Sequence, residues 1–362
     1  MTRITGIDID LDRTLPSGDD EIWYTRCPVP TAFEVALDAR LFEEEFRDSG
    51  LAWRALADSR DPAVHQSHFT HRKANSFRHG GNVPAIYARS RGADTKVIGI
   101  SWPRTSYPVL ALPGSGIKTA ADLAGRRLLV PRRAEVAVDF WRASTLRVYE
   151  TALTSAGLTF DDVELVEIEG ESHHMADADT SSLDGRLRWA LQDRYSFMRA
   201  ILLPLVRGDV DAVTAQATIG EQICALTNAQ VVFDQADQPD LLSRINNGAP
   251  DVLTVSGAFA AEHPDRVARV VTRLLDASNW ARAHPDAAIE LFARRLQIPT
   301  SLLQVTYRDE LSQRLDVSLP EHAVTVLQSQ QDFLLRHGFI DVPFDVQDWI
   351  DPHPIKLAQA TL

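Results

Sequence analysis

Short apolar runs alternate with amphipathic stretches along the chain, and their periods set the expected elements. Trp23-Tyr24-Thr25 reads as a first strand. Cys27-Pro28-Val29-Pro30 interrupts it, and Thr31 caps a helix that carries Phe33, Ala36, Leu37 and Leu41 on one face. Leu51 to Leu56 and Lys96 to Trp102 are further strands. His68 falls in the loop or short segment between them, and Asn82 opens a helix. The alternation then resumes. Tyr107 to Leu112 is a strand, and Ile117 to Pro131 reads as a short helix, a glycine stop at Gly125 and a strand. Phe140 to Ala156 is helical, Val163 to Ile168 extended, Gly170 to Gly185 polar and irregular, Leu202 to Arg207 helical and Val210 to Val213 extended. Val252 to Ser256 is a last strand, and helices fill most of the remainder. Strands that alternate with helices predict an α/β protein.

A chain of 362 residues is too long for one ordinary core. The pattern divides it into one lobe of residues 1–105 plus 225–362 and a second of residues 106–224. Apolar residues at 44% and charged residues at 24% fit a globular protein. The net charge of −13 argues against nucleic acid and against anionic membrane surfaces. It leaves room for a small anion in a local basic pocket. No apolar run approaches the roughly 20 residues that span a bilayer, so no membrane insertion is expected. Met1 to Asp10 has no hydrophobic signal core, which points to a cytoplasmic protein, with a monomer favoured. Of the two cysteines, Cys224 sits in an apolar-periodic stretch and reads as a buried helix residue. A disulfide to Cys27 is not expected in a reducing compartment.

Cys27 lies in a strand-to-helix turn, at the carboxyl end of a strand, where open α/β sheets bind ligands. About forty residues on stand His68-Phe69-Thr70 and then Arg78-His79-Gly80-Gly81. A thiol is nucleophilic as thiolate, and a nearby cation or a paired histidine poises it. An arginine fork holds two oxygens of an oxyanion, and a glycine lets a ligand approach the backbone. Each residue also has a plain structural reading: Cys27 as a small buried hydrophobe, His68 as one of eleven histidines in a loop, Arg78 as a surface cation. Trp141 either lines an aromatic pocket or belongs to the core. Arg126-Arg127 and Arg132-Arg133 read as a solvated turn. His173-His174 with Asp177 and Asp179 fits no standard zinc spacing, so no metal is expected.

Two resemblances sharpen this reading. Ile117 to Pro131, Gly208-Asp209-Val210-Asp211-Ala212, and the run from Glu262-His263-Pro264 through Trp280-Ala281 to His284-Pro285-Asp286 resemble the solute-binding proteins of sulfonate, nitrate and taurine transport. That resemblance implies a two-lobed, periplasmic-binding-protein type II-like fold with a ligand between the lobes. The first unit resembles a narrower family, the sulfinate desulfinases that end dibenzothiophene desulfurisation. Tyr24-Thr25-Arg26-Cys27-Pro28-Val29-Pro30, His68-Phe69-Thr70 and Arg78-His79-Gly80-Gly81 carry it. It implies a cofactor-free carbon–sulfur lyase that releases sulfite from an aromatic or related sulfinate. Cys27 would be its nucleophile or proton donor and His68 its second catalytic residue. Arg78, Gly81, Gly80, Phe69 and Trp141 would hold the substrate. Departures from the family pattern bear on the substrate, among them a shorter segment leading to Trp141. His71-Arg72-Lys73 is more basic than the family pattern, and Val213 to Thr218 is small and polar where the family is aromatic. These point away from biphenyl. The alternatives on the same fold are a non-catalytic binding protein for a sulfonate-like anion in an ABC uptake system, and a decarboxylase or thiamine-precursor enzyme.

Overall fold

The computed structural model describes residues 1–4, 7–170, 183–307 and 310–361. The chain divides into two compact units: Met1–Pro103 with Asn247–Thr300 and Asp309–Leu362, and Arg104–Asn246 with Ser301–Arg308. The return to the first unit therefore falls at Asn247, not near residue 225. The reason is local pairing: strand Gln230–Asp234 joins Pro108–Ala111 antiparallel in the second unit's sheet.

The first unit is built on five strands in the order Ala52–Ala55, Glu21–Tyr24, Ser76–Gly81, Asp251–Ser256, Thr95–Ser101. The first three run parallel, and Asp251–Ser256 runs antiparallel to both its neighbours. Ser76–Gly81 and Asp251–Ser256 are buried at every position, as central strands with both faces covered must be. Beside them stands an aromatic cluster. Trp53 stacks on Phe42 with ring centroids 4.5 Å apart, Phe33 lies 4.9 Å from Phe42, and Tyr24 lies 5.9 Å from Phe33. Each such side chain contributes about 1.5–3 kcal/mol when fully buried. The cluster thus fixes both sides of the turn between Glu21–Tyr24 and helix Ala32–Asp38. The expected cap is present, with Thr31 accepting from the Glu34 amide.

The second unit has its own sheet, in the order Gln230–Asp234, Pro108–Ala111, Ala212–Thr214, Arg127–Arg132, Glu164–Glu169. Arg127 is not a solvated turn residue. Its guanidinium binds both carboxylate oxygens of Asp211 and the carbonyls of Gly208 and Asp209. Arg127 and the Gly208–Ala212 motif are therefore two halves of one structural clasp. The helix expected from Leu202 begins at Leu183 and runs to Arg207. Gly185 and the charges around it hide its start, because they interrupt the apolar stripe. Residues 173, 174, 177 and 179 lie outside the described residues. No helix among the described residues is long and apolar enough to cross a membrane.

Candidate functional site

The parallel pairing of Glu21–Tyr24 with Ser76–Gly81 brings the two sequence motifs together. Tyr24 stands opposite Phe77, and the Thr25 amide donates to the Phe77 carbonyl at 3.1 Å. Three residues beyond Tyr24 on one strand, and three beyond Phe77 on the other, Cys27 meets Gly80. The contact is close enough that a Cβ placed on Gly80 would stand 2.4 Å from Cys27 Sγ. Only glycine leaves room for the thiol there. Gly81 is occupied in the same way: a Cβ would stand 2.5 Å from Asn247 Oδ1. Asn247 also seals the helix that begins at Asn82. Its carbonyl accepts from the Asn82 amide at 2.7 Å and its Oδ1 from the Val83 amide at 3.0 Å. Those two amides are not donors for a ligand.

His68 lies in the last turn of helix Pro62–Thr70, not in a loop. Asp61 caps that helix and Pro62 occupies its first turn, a start signal masked by the polar sequence between them. The ring of Phe69 lies 4.6 Å from that of His68, edge to face. The basic run that follows is engaged by other parts of the protein, Arg72 also pairing with Asp12 at 3.4 Å. His71 is the helix C-cap, buried between the Ser76 carbonyl and the Thr254 hydroxyl. Arg72 binds the carbonyls of Arg91 and Gly92, and Lys73 binds the Pro16 carbonyl and lies over Trp23.

Arg78 connects these pieces. It is 3% exposed, its Nε donates to the His68 carbonyl at 3.2 Å, and its Nη1 donates to the Gly81 carbonyl at 2.7 Å. Among the described residues nothing accepts from Nη2, and no carboxylate lies within ion-pair distance. The guanidinium is thus aimed by two backbone carbonyls and left electrically uncompensated. A buried cation in that state is costly unless an anion joins it.

The electrostatics follow from burial and this one charge. Burial pushes the Cys27 thiol up. Arg78 pulls it back, while Asp251 and Glu34 push it further up, so burial wins and the resting group is a thiol. Burial and the Arg78 cation push the partly exposed His68 imidazole down to about 3, so it is neutral at physiological pH. No hydrogen bond joins it to Cys27. The Arg78 cation beside the imidazole disfavours a second positive charge there, so the cation nearest in effect to Cys27 is Arg78 rather than a protonated His68.

Trp141 belongs to the second unit. It stacks on Phe197 at 3.9 Å, with Arg133 5.5 Å from both ring centroids, and helps line a recess of about 10 Å³ together with Thr214 and Gln216. Cys224, expected to be buried, is half-buried on helix Ala217–Thr227. Asn247 and Asp251 lie about 170 residues beyond Arg78 and were not singled out from the sequence. The signal that could have found them is Asn246-Asn247-Gly248-Ala249-Pro250-Asp251, a polar, turn-rich segment leading directly into the mostly apolar run Val252-Leu253-Thr254-Val255.

Residues 46–182 match the NMT1/THI5-like family. The chain is 27% identical to the 2'-hydroxybiphenyl-2-sulfinate desulfinase of Rhodococcus erythropolis, over 92% of each chain. Its fold matches the crystal structure of a cysteine-to-serine variant of the desulfurization enzyme DSZB in complex with biphenyl-2-sulfinic acid. The TM-score is 0.71 at 24% identity, covering 95% of this chain and 99% of the other. It also matches the periplasmic aliphatic sulphonate binding protein SsuA from Escherichia coli, with a TM-score of 0.65 at 16% identity and 92% of each chain covered. The α/β, periplasmic-binding-protein-like fold expected from the sequence is borne out, and over nearly its whole length the chain is a relative of the 2'-hydroxybiphenyl-2-sulfinate desulfinases.

Proposed function

We propose that this protein is a sulfinate desulfinase, an enzyme that cleaves a carbon–sulfur bond and releases sulfite from an aromatic or related sulfinate. The observation that carries the reading is Arg78, a buried guanidinium with a donor to spare and, among the described residues, no carboxylate within ion-pair distance, whose charge acts on the Cys27 thiol. An oxyanion group on the substrate completes that charge. A spare Nη2 and the edge of Nη1 suit the two oxygens of a sulfinate.

With Cys27 a thiol and His68 neutral, the resting site favours proton delivery over nucleophilic attack. The Cys27 proton goes to the carbon that carries sulfur. The carbon–sulfur bonding pair stays on that carbon and becomes its new C–H bond, and sulfur departs as sulfur dioxide. Water adds to the sulfur dioxide to give bisulfite and a proton, which restores the thiol. The sum is sulfinate plus water to arene plus bisulfite, with no redox change and no cofactor. Arg78 stabilises the transient thiolate as well as the bound anion, because its charge favours the ionised form of Cys27. Such a positioned acid contributes about 10²–10⁴-fold. His68 anchors Arg78 through its carbonyl, and its ring flanks the site with that of Phe69.

The test is sulfite release from a panel of aryl and alkyl sulfinates, run beside the matching sulfonates. Release from sulfinates alone supports the reading. Binding of both classes with no sulfite from either would make this a binding protein.

A further inference from the structure

One ionisable group beside this site is unused by the chemistry above. Asp251 opens its strand in register with Gly81 on one side and Ser101 on the other. It is 1% exposed, its Oδ1 is sealed from solvent, and no described residue makes a hydrogen bond to its carboxyl. A carboxylate buried without donors is expensive, and a structural carboxylate would have found some. The opposite charge that it feels is Arg78, which lies beyond ion-pair distance. Cys27 feels both, the guanidinium favouring its thiolate and the carboxylate opposing it.

We propose that Asp251 is a specificity-determining residue of the anion site, which holds a proton while an anion occupies Arg78 and competes with that anion once it ionises. The inference rests on the reading that Arg78 receives the substrate's oxyanion group. The charge balance is simple. Protonated Asp251 leaves Arg78 with one uncompensated positive charge, which a monoanion neutralises. Ionised Asp251 neutralises it instead, and a bound anion would then leave the buried site with a net negative charge. Anion binding therefore takes up a proton: carboxylate, proton and sulfinate give carboxylic acid and bound sulfinate. A neutral carboxylic acid kept in an apolar site at neutral pH is a known arrangement.

Burial lifts the Asp251 carboxyl to about 8, with Arg78 pulling against it, so the exchange falls within an accessible pH range. The neighbouring histidines are neutral across that range. His68 and His79 are pushed down to about 3 and His71 to about 4. On the strand at the other side, Lys96 donates to the Asp348 carbonyl. Glu34 is raised by burial and opposed by Arg295 and Arg26. Cys27 and Glu34 are the other groups that burial raises; replacing Cys27 removes the first, and the comparison with Asp251→Asn separates the second.

The experiment uses the full chain carrying Cys27→Ala, which blocks turnover, titrated with benzenesulfinate from pH 6.5 to 9.5. The dissociation constant is expected to rise about tenfold between pH 7 and pH 9, as the binding-competent fraction falls. Calorimetry at pH 8 in two buffers of different ionisation enthalpy should show proton uptake on binding. Adding Asp251→Asn should leave binding at pH 6.5 within about threefold, flatten the profile and abolish the uptake. A flat profile in the parent, or an unchanged profile in the double variant, overturns the proposal. No binding at pH 6.5 overturns the anion-site reading with it. If the double variant fails to fold, difference infrared on the folded parent at pH 8 decides the matter. The carbonyl stretch of a protonated carboxyl must grow when benzenesulfinate binds, and no growth overturns the proposal.

Discussion

Arg78 carries its charge where charge is costly, and two backbone carbonyls are all that the described protein offers it. Arg78→Lys keeps the charge and loses the fork. It should weaken benzenesulfinate binding by about 1.5–3 kcal/mol, roughly 10- to 150-fold, with a smaller effect on the bound turnover rate. A KM-against-kcat comparison reads the split. Cys27 and His68 make a pH prediction. A neutral His68 pushed to about 3 gives no acid limb near 6.5, so turnover should stay flat from pH 6 to 7.5. A raised Cys27 loses its proton only at alkaline pH, so turnover should fall as pH rises through that range. By the same token Cys27 should react slowly with iodoacetamide at neutral pH and faster as pH rises. A limb near pH 6.5, or fast neutral alkylation, would mean that a thiolate–imidazolium pair forms after all. The residue types were legible in the sequence, from their spacing and their resemblance to a known family. The protonation states were not, because they depend on burial, which spacing does not report.

The strand Ser76–Gly81 does the positioning. It places Arg78 and Gly80 beside the turn that carries Cys27, and Gly81 beside Asn247 and Asp251. Gly80→Ala puts a methyl 2.4 Å from Cys27 Sγ and 2.8 Å from its Cβ, and neither the central strand nor the proline-bounded turn can yield cheaply. The variant should displace the thiol by about an ångström and cut kcat on the order of 10²-fold, while circular dichroism shows a folded protein. A Gly80→Ala enzyme of wild-type kcat would show that the thiol need not sit where it does. The turn itself was readable from Cys27-Pro28-Val29-Pro30 and Thr31. The helix that holds His68 was not, because Pro62–Thr70 has no apolar stripe and is recognisable only by its cap and its proline.

At the scale of the molecule, an acidic chain with a net charge of −13 buries the Arg78 guanidinium with no carboxylate within ion-pair distance among the described residues. Fold class was legible because strand and helix periods alternate cleanly over most of the chain. The division at Asn247 was not. Gln230–Asp234 has the pattern of any short strand, and which sheet it joins is decided by pairing with Pro108–Ala111, more than a hundred residues away. The measurement that tests the central claim most directly is a product balance on one sulfinate. Benzenesulfinate is incubated with the full chain, benzene and sulfite are quantified together, and the same is done with Cys27→Ser after its binding has been measured. Desulfination by Cys27 predicts equimolar benzene and sulfite from the wild type, and loss of both products from a Cys27→Ser variant that still binds the ligand. Tight binding by both proteins with neither product from either would contradict it.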